Sequence, residues 1–196
     1  MRNLIQPCMI KESANGYTPV RLEDELFGQR KIFLTDEIDI CSATSLIKQL
    51  MILSHEDPSA PISLYISSSG GSIDSGMSII DCMSSIKAEV DTYCVGLTAS
   101  MAAVIFSCGC RRFIFPSGKL MIHDPMIPET GGNALKLKAV SDSLMEYRSS
   151  IASLLAANCG KTTEEILELT RQDTYFNAEE ALAFGLADQI IEGENL

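Results

Sequence analysis

The chain has 196 residues, of which 46 % are hydrophobic and 21 % charged, and its formal net charge is −11. These values are typical of one compact domain with a sizeable core, so we expect a single domain over residues 1–196. The acidic balance argues against a nucleic-acid partner. The lack of any run of about 18 uncharged apolar residues argues against a membrane partner or a membrane-spanning segment.

The first residues contain no apolar stretch long enough for a secretory signal, which favours a cytoplasmic protein. Seven cysteines are scattered along the chain without a pairing pattern, as expected for reduced thiols. Cys108 and Cys110 are too close together for the usual zinc-binding pair, and no second pair follows them. We therefore expect no metal site.

Three strand-and-helix units are predicted in the first half of the chain. The strands are predicted over residues 31–34, 62–66 and 90–95. The helices that follow them are predicted over residues 43–54, over a stretch with Ile73, Met77 and Ile80 on one face, and from near Ser100. Repeated β-α units of this length predict an α/β fold with a largely parallel sheet.

The remaining segments carry weaker or more local signals. A long helix is predicted over residues 134–158, because apolar residues recur there at steps of three and four, and Gly160 suits its end. Thr162 and Asn177 each stand three residues before a glutamate, a capping-box pattern that begins a helix. Residues 1–20 show little periodicity and are expected to form a mobile or partner-dependent arm.

Ser100 stands where the third strand gives way to the helix-forming segment M-A-A-V-I-F. A serine at such a junction can present its hydroxyl to a ligand, and the first N–H groups of the helix face any negative charge that develops nearby. A serine becomes a nucleophile when a base takes its proton, and histidine is the usual base near neutral pH. His123 is the candidate base, since His55 lies in a polar stretch typical of a solvated loop. The pattern indicates a serine hydrolase.

Gly70 and Gly71 follow the second predicted strand. An isolated glycine pair is more often a plain turn, but together with the Ser100 junction it predicts an oxyanion hole whose donors are the N–H groups of Gly71 and Met101. Spacing cannot select the third member of a triad among 26 acidic residues. Asp124, next to His123, and Asp173 both remain candidates on the residues alone.

Five motifs, in order and spacing from about Arg30 to Ile191, resemble the proteolytic subunit of the Clp protease. They are Q-L-M-I-L with E-D-P (residues 49–58), Y-I with G-G-S (65–72), G-L-T-A-S-M (96–101), M-I-H-x-P (121–125), and Asp173 with N-A-E-E-A and F-G-L-A-D (173–188). The resemblance implies Ser100 as nucleophile, His123 as general base and Asp173 as the carboxylate that orients the imidazole. Gly71 and Met101 would be the oxyanion donors.

The resemblance also implies an architecture and partners. The fold would be the spiral of ββα units shared with crotonases, with a protruding handle over about residues 126–158 and an axial arm over residues 1–20. Heptameric rings, stacked in pairs, would enclose a chamber in which unfolded polypeptides are cut to short peptides. A partner AAA+ unfoldase would use the ATP, so that this chain, which has no P-loop motif, needs no cofactor. Tyr65 matches an aromatic of the family's docking pocket for that unfoldase.

Two departures from the family pattern support an alternative. Ser69 replaces the proline before the glycine pair, and Arg171-Gln172 replaces the Asp-Arg that couples ring stacking to active-site alignment in relatives. The alternative is a ring-forming paralogue that is silent on its own and active only with another subunit or a non-standard partner. A third hypothesis, a crotonase-like acyl-CoA enzyme, shares the fold and oxyanion hole but has no use for a Ser–His pair.

Overall fold

The computed structural model describes residues 8–13, 16–127 and 131–191. Within these residues the strands are β1 Cys8–Ser13, β2 Gly16–Arg21, β3 Lys31–Leu34, β4 Ile62–Ser68, β5 Val90–Ala99, β6 Arg112–Ile114, β7 Lys119–Ile122, β8 Thr174–Phe176 and β9 Gln189–Ile190. The helices are α1 Leu22–Gly28, α2 Ile40–Glu56, α3 Ile73–Ser85, α4 Met101–Ser107, α5 Ala134–Cys159, α6 Thr163–Leu169 and α7 Ala178–Phe184. The chain has the predicted α/β class.

A mixed sheet forms the centre of the molecule. Its strand order is β3-β4-β5-β6-β9, and β7 pairs with β5 on one side and with β8 on the other. Every pairing in this sheet is parallel except β7 with β8. The largely parallel sheet is thus as expected, and its one antiparallel pair lies beside the candidate site.

Strand β4, with the sequence I-S-L-Y-I-S-S, presents three buried apolar residues on one face of the sheet. Ile62, Leu64 and Ile66 have no exposed surface, because they pack under the helices that follow the strands. Helix α3 contacts α2 on one side and α4 on the other, and every residue of α4 is buried. The three buried apolar residues of β4 alternate with Ser63, Tyr65 and Ser67, so they all point to the face that the helices cover. Because α4 is buried along its whole length, it holds Ser100, the residue just before the helix, in a fixed position.

Strand β5 is longer than predicted and has two parts. Residues 92–94 pair with β6, whereas residues 97–99 pair with β7. Between the two parts Gly96 has a positive φ of 71°, and the register with β4 shifts. The glycine that ended the predicted strand at residue 95 is therefore a bend within it, a common place for glycine in a strand.

The N-terminal arm differs from the sequence prediction. Its described part forms an antiparallel hairpin of β1 and β2, followed by α1, and neither the hairpin nor the helix was predicted. Residues 1–7 and 14–15 of that arm and residues 128–130 of the handle lie outside the described residues. Helix α5 begins as predicted and ends at a left-handed Gly160. Its buried residues start only at Ile151, so the first half projects from the core.

No helix in the described part of the chain is long and apolar enough to cross a membrane.

Candidate active site

The parallel pairing of β5 with β7 brings Ser100 and His123 together. Ala99 is the register partner of Met121, and the Ser100 N–H donates to the Met121 carbonyl over 2.8 Å. Since parallel strands end at the same edge of a sheet, the residues just beyond β5 and β7 become neighbours. The His123 Nε2 lies 2.8 Å from the Ser100 Oγ, a hydrogen-bond distance.

Ser100 has an unusual backbone conformation at the strand-to-helix junction. Its φ is +56° and its ψ is −129°, values that L-residues other than glycine seldom adopt. Such strain, of about 1–3 kcal/mol, is characteristic of functional sites. Serine at a helix N-cap ordinarily accepts a hydrogen bond from the first turn, but Ser100 makes no such cap. Its hydroxyl is therefore left to His123.

The glycine loop packs against this junction. A Cβ on Gly70 would lie 2.8 Å from the Ser100 Cβ and 3.0 Å from the Met101 nitrogen, and the φ of Gly70 is +95°. A Cβ on Gly71 would lie 2.3 Å from the Ile38 carbonyl oxygen, with a φ of +149°. Only glycine fits at either position, so the pair is more than a plain turn. The loop is held by backbone hydrogen bonds from Ile38 to Gly70 and from Ser72 to Ile38.

Gly71 belongs to the glycine loop, and Met101 begins the helix against which that loop packs. Neither backbone N–H donates a hydrogen bond to another described residue. The Met101 side chain is 3 % exposed and packs so closely on α3 that a Cβ on Gly76 would lie 2.3 Å from its Cγ. The backbone at Met101 is therefore anchored, as a preorganised donor requires.

Asp173 reaches the site through the antiparallel pair. Thr174 is the register partner of Ile122, so the residue before β8 lies opposite the residue after β7. The Asp173 Oδ1 is 4.0 Å from the His123 Nδ1, longer than a hydrogen bond, and its side chain is 58 % exposed. The structure thus brings all three predicted triad residues together but forms only the Ser–His hydrogen bond.

The other acidic candidate has different partners. The Asp124 carboxylate accepts hydrogen bonds from Arg148 Nε and from Thr170 Oγ1, each over 2.6 Å. Asp124 is therefore committed to groups other than His123. His55 is exposed at the end of α2, away from the cleft residues. No cluster of three His, Cys, Asp or Glu side chains able to hold a metal lies within the described ranges.

A cleft of about 340 Å³ runs over the Ser–His pair. It is lined by Ser69, Gly71, Ile73, Ser100, Met121, His123, Pro125, Met126 and Asp173. Its walls combine apolar side chains with the nucleophile, base and carboxylate of the predicted triad. A nucleophile and a base that share an apolar cleft are the arrangement expected for acyl transfer. Ser69, in place of the family's proline, lies directly in the lining.

Arg171, the second departure, forms its ion pair with Glu168 and not with Asp173. Its guanidinium pairs with Glu168, three residues earlier, and both side chains are more than 60 % exposed. An ion pair this exposed contributes little to stability. Among the described residues, no lysine or arginine forms an ion pair with Asp173.

Tyr65 belongs to a ladder of four stacked rings that sequence analysis did not foresee. Phe33, Tyr65, Tyr93 and Phe113 are register partners across β3, β4, β5 and β6, with successive ring centroids 5.2, 4.5 and 4.8 Å apart. Burial raises the pKa of the Tyr65 hydroxyl, whereas Phe33 at the sheet edge is 45 % exposed. The signal was available, since each of the four strands carries one aromatic at the same level, but only pairing reveals it.

A comparison with known families places these features in context. The model of the family described as Clp protease matches residues 15–194, which is nearly the whole chain and includes every cleft residue named above. The seven described helices and the mostly parallel sheet agree with a Clp/crotonase-like fold.

Proposed function

The chain belongs to the Clp protease family, and on that premise we propose that it is a serine endopeptidase subunit. The observation that carries the proposal is the 2.8 Å contact between His123 Nε2 and the hydroxyl of Ser100, which makes no capping hydrogen bond to α4. A histidine that accepts the serine proton makes the oxygen a nucleophile. A crotonase-like acyl-CoA reaction has no use for this contact.

The proposed mechanism follows the Ser–His–Asp scheme. Ser100 Oγ attacks a peptide carbonyl while His123 takes its proton, and the oxyanion is bound by the N–H groups of Gly71 and Met101. His123 then gives that proton to the leaving amine, which leaves an acyl-enzyme. Water, deprotonated by His123, attacks the ester; His123 then returns the proton to Ser100 Oγ as the ester bond breaks and the second peptide leaves. Asp173 would hold the imidazole in the tautomer with Nδ1–H, which requires their 4.0 Å separation to shorten by about 1 Å.

That separation supports the second candidate function. A subunit with its Ser–His pair formed but its Asp173 unbonded and 58 % exposed would be silent alone and would gain activity on assembly with another subunit or partner. The local Arg171–Glu168 ion pair is compatible with this, because Arg171 is not engaged with any group that fixes Asp173. The two candidates differ in when Ser100 becomes reactive, not in which residues react.

The experiment is intact-mass analysis after incubation with a fluorophosphonate, which modifies activated serines. We expect one adduct on the wild-type chain and none on Ser100→Ala, with the same elution volume for both. Wild type that reacts only after mixing with another family member or an unfoldase would select the silent paralogue. An adduct that persists on Ser100→Ala, or no adduct under any of these conditions, would contradict the proposed nucleophile.

We further propose that seven copies form a ring, that two rings stack through the handle, and that an AAA+ unfoldase supplies unfolded polypeptide. The exposed apolar residues of the first half of α5, Leu135 and Met145 among them, support a role in contacts between copies. The partly exposed aromatic ladder around Tyr65 supports docking of the partner. On this proposal the subunit itself binds no nucleotide, and the protein acts in the cytoplasm on protein substrates.

A substitution in the ladder tests the docking proposal. Tyr65→Ala removes the second ring of the ladder, which touches both Phe33 and Tyr93. We expect unfoldase-dependent degradation of a folded substrate to fall at least tenfold, while hydrolysis of a short peptide stays within about twofold, since aromatic anchors dominate interfaces. Equal effects on both reactions would argue against docking.

Native mass spectrometry tests the separate proposal of a seven-membered ring, because it gives the number of copies in the assembly.

A further inference from the structure

Asp124 follows His123 directly and makes three hydrogen bonds, one with Arg148 of α5 and two with Thr170 at the end of α6. Its Oδ2 accepts from Arg148 Nε over 2.6 Å and its Oδ1 from Thr170 Oγ1 over 2.6 Å. Its backbone N–H donates to the Thr170 carbonyl over 2.7 Å. We call these three residues the Asp124 clamp. It joins the segment after β7 to α5 and to the end of α6.

The partners in the clamp are themselves fixed. Thr170 is 5 % exposed, and its backbone N–H donates to the Ile166 carbonyl over 2.9 Å. Arg148 Nη2 donates to the Leu167 carbonyl over 2.9 Å, and its side chain is 23 % exposed. Charge-assisted hydrogen bonds of this kind are roughly twice as strong as neutral ones. The clamp is therefore a rigid connection and not a pair of loose surface contacts.

The clamp lies beside the base and the carboxylate of the proposed triad. Asp124 is one residue from His123, and Thr170 is three residues from Asp173. On the other side, the pairing of Ile122 with Thr174 ties the same two segments. With a tie on each side, the distance between the imidazole and the Asp173 carboxylate is set by the β7–β8 ladder and the clamp together.

We propose that Asp124 is a positioning residue, which sets the spacing of His123 and Asp173 through its hydrogen bonds to Thr170 and Arg148. The inference rests on the proposed function and adds a component that the triad itself does not contain. Displacement of a catalytic group by about 1 Å can cost about 100-fold in rate. Loosening the clamp should therefore slow the chemical step and leave substrate binding nearly unchanged.

A direct effect of the Asp124 charge on His123 is the competing explanation. Other charged groups on the flanking elements have partners of their own: Asp74 of α3 bonds to Tyr147 of α5, and Arg171 pairs with Glu168. Asp173 is the remaining carboxylate beside the imidazole. A variant that breaks the clamp without changing any charge separates the two explanations.

Thr170 provides that variant. Thr170→Val removes the hydroxyl at constant shape and charge, and Thr170→Ser restores it. Asp124→Asn removes the charge and leaves one acceptor oxygen for two donors. Asp142→Asn, in an exposed pair with Lys138 on α5, is the matched control. For each assembled protein, we would measure kcat and KM for a short peptide, the rate of fluorophosphonate labelling of Ser100, and the unfolding midpoint.

We expect Thr170→Val and Asp124→Asn to lower kcat and the labelling rate by about 10- to 100-fold with KM within about twofold. Thr170→Ser and Asp142→Asn should match wild type.

Wild-type rates in both test variants would overturn the proposal. A slow Asp124→Asn beside a normal Thr170→Val would also overturn it, because that result would assign the effect to the charge. If Thr170→Val does not fold, Thr170→Ala takes its place, since it also removes the hydroxyl without changing a charge: a slow Thr170→Ala with a normal KM supports the clamp, and wild-type rates in Thr170→Ala overturn it. Wild type unlabelled in every assembled form would instead contradict the proposed function, and the inference with it.

Discussion

At the scale of single residues, the site depends on two unusual positions: a serine that does not cap the helix it precedes, and a glycine where no Cβ would fit. Ser100 begins a helix yet leaves the first turn uncapped, because its positive φ directs the junction differently from a standard N-cap. Gly70 allows the loop to approach within contact of Ser100, where any Cβ would collide. The local rules for helices and turns are broken where the proposed chemistry occurs, as is common at functional sites.

The Ser–His contact predicts a pH dependence. Lowering the pH from 8 to 5 should reduce kcat/KM for a short peptide, because a protonated imidazole cannot accept the Ser100 proton. The Ser100→Ala chain supplies the background rate. A rate that stays level over this range, in a protein shown to remain assembled at pH 5, would argue against His123 as the base.

The sequence identified some of these residues and left others open for a physical reason. Ser100 and His123 stand in distinctive local contexts, and the chain has only two histidines to choose between. Asp173 stands out by no local signal, because its position depends on the pairing of β8, a three-residue strand, with β7. Family resemblance selected it before the pairing was known. The contacts of Asp124 are likewise tertiary and have no local signature.

At the scale of elements, patterns that involve neighbouring residues were read correctly. The capping boxes at Thr162 and Asn177 begin α6 and α7 as predicted, since both hydrogen bonds of each box lie within four residues. The predicted ends of α5 agree with the structure within one residue, because the apolar repeat and the glycine at residue 160 are also local signals. The hairpin of β1 and β2 was missed because its strands are exposed on nearly every residue, which removes the alternation that marks a strand.

Helix α2 shows a subtler limit. It begins at Ile40, three residues before the predicted start, because Asp39 and Ser42 form a capping box with serine in place of the usual glutamate. Each side chain accepts a hydrogen bond from the backbone of the other. Hydrogen bonds with the Ser42 backbone and hydroxyl keep the pKa of Asp39 below its usual range. The box was not predicted because the usual capping-box pattern has glutamate or glutamine, and not serine, three residues after the N-cap.

At the scale of the whole molecule, Arg112 of β6 connects the C-terminal elements to the sheet. Its Nη1 donates to the carbonyls of Asn158 and Gly185 over 2.8 and 2.9 Å, and its Nε and Nη2 bind the two oxygens of Asp188. The Arg112 side chain is 12 % exposed. The ends of α5 and α7 and the start of β9 are therefore all held by one guanidinium, whose planar fork suits such a role.

We predict that Arg112→Met lowers the free energy of unfolding by about 2 kcal/mol, in line with the loss of hydrogen bonds to a charged group. The figure stays below the 3–5 kcal/mol typical of a buried pair because the Asp188 side chain is 42 % exposed and regains water. Lys138→Met, which breaks the exposed pair with Asp142, is the control and should change stability by less than about 0.5 kcal/mol. Urea unfolding of both variants beside wild type measures the difference.

The same comparison has a defined pH dependence. Burial acts to raise the pKa of Asp188, but hydrogen bonds from the Arg112 side chain and backbone outweigh it and bring the pKa below its usual value. The unfolded chain therefore binds a proton on Asp188 at a higher pH than the folded chain, and the stabilisation is present above the unfolded value of about 4. It is lost as the pH falls through the folded value. The stability gap between wild type and Arg112→Met should thus be constant from pH 7 to 5 and shrink below about pH 4. A gap that is unchanged at pH 3 would show that Arg112 stabilises the C-terminal elements through its carbonyl contacts alone, without the charge of Asp188.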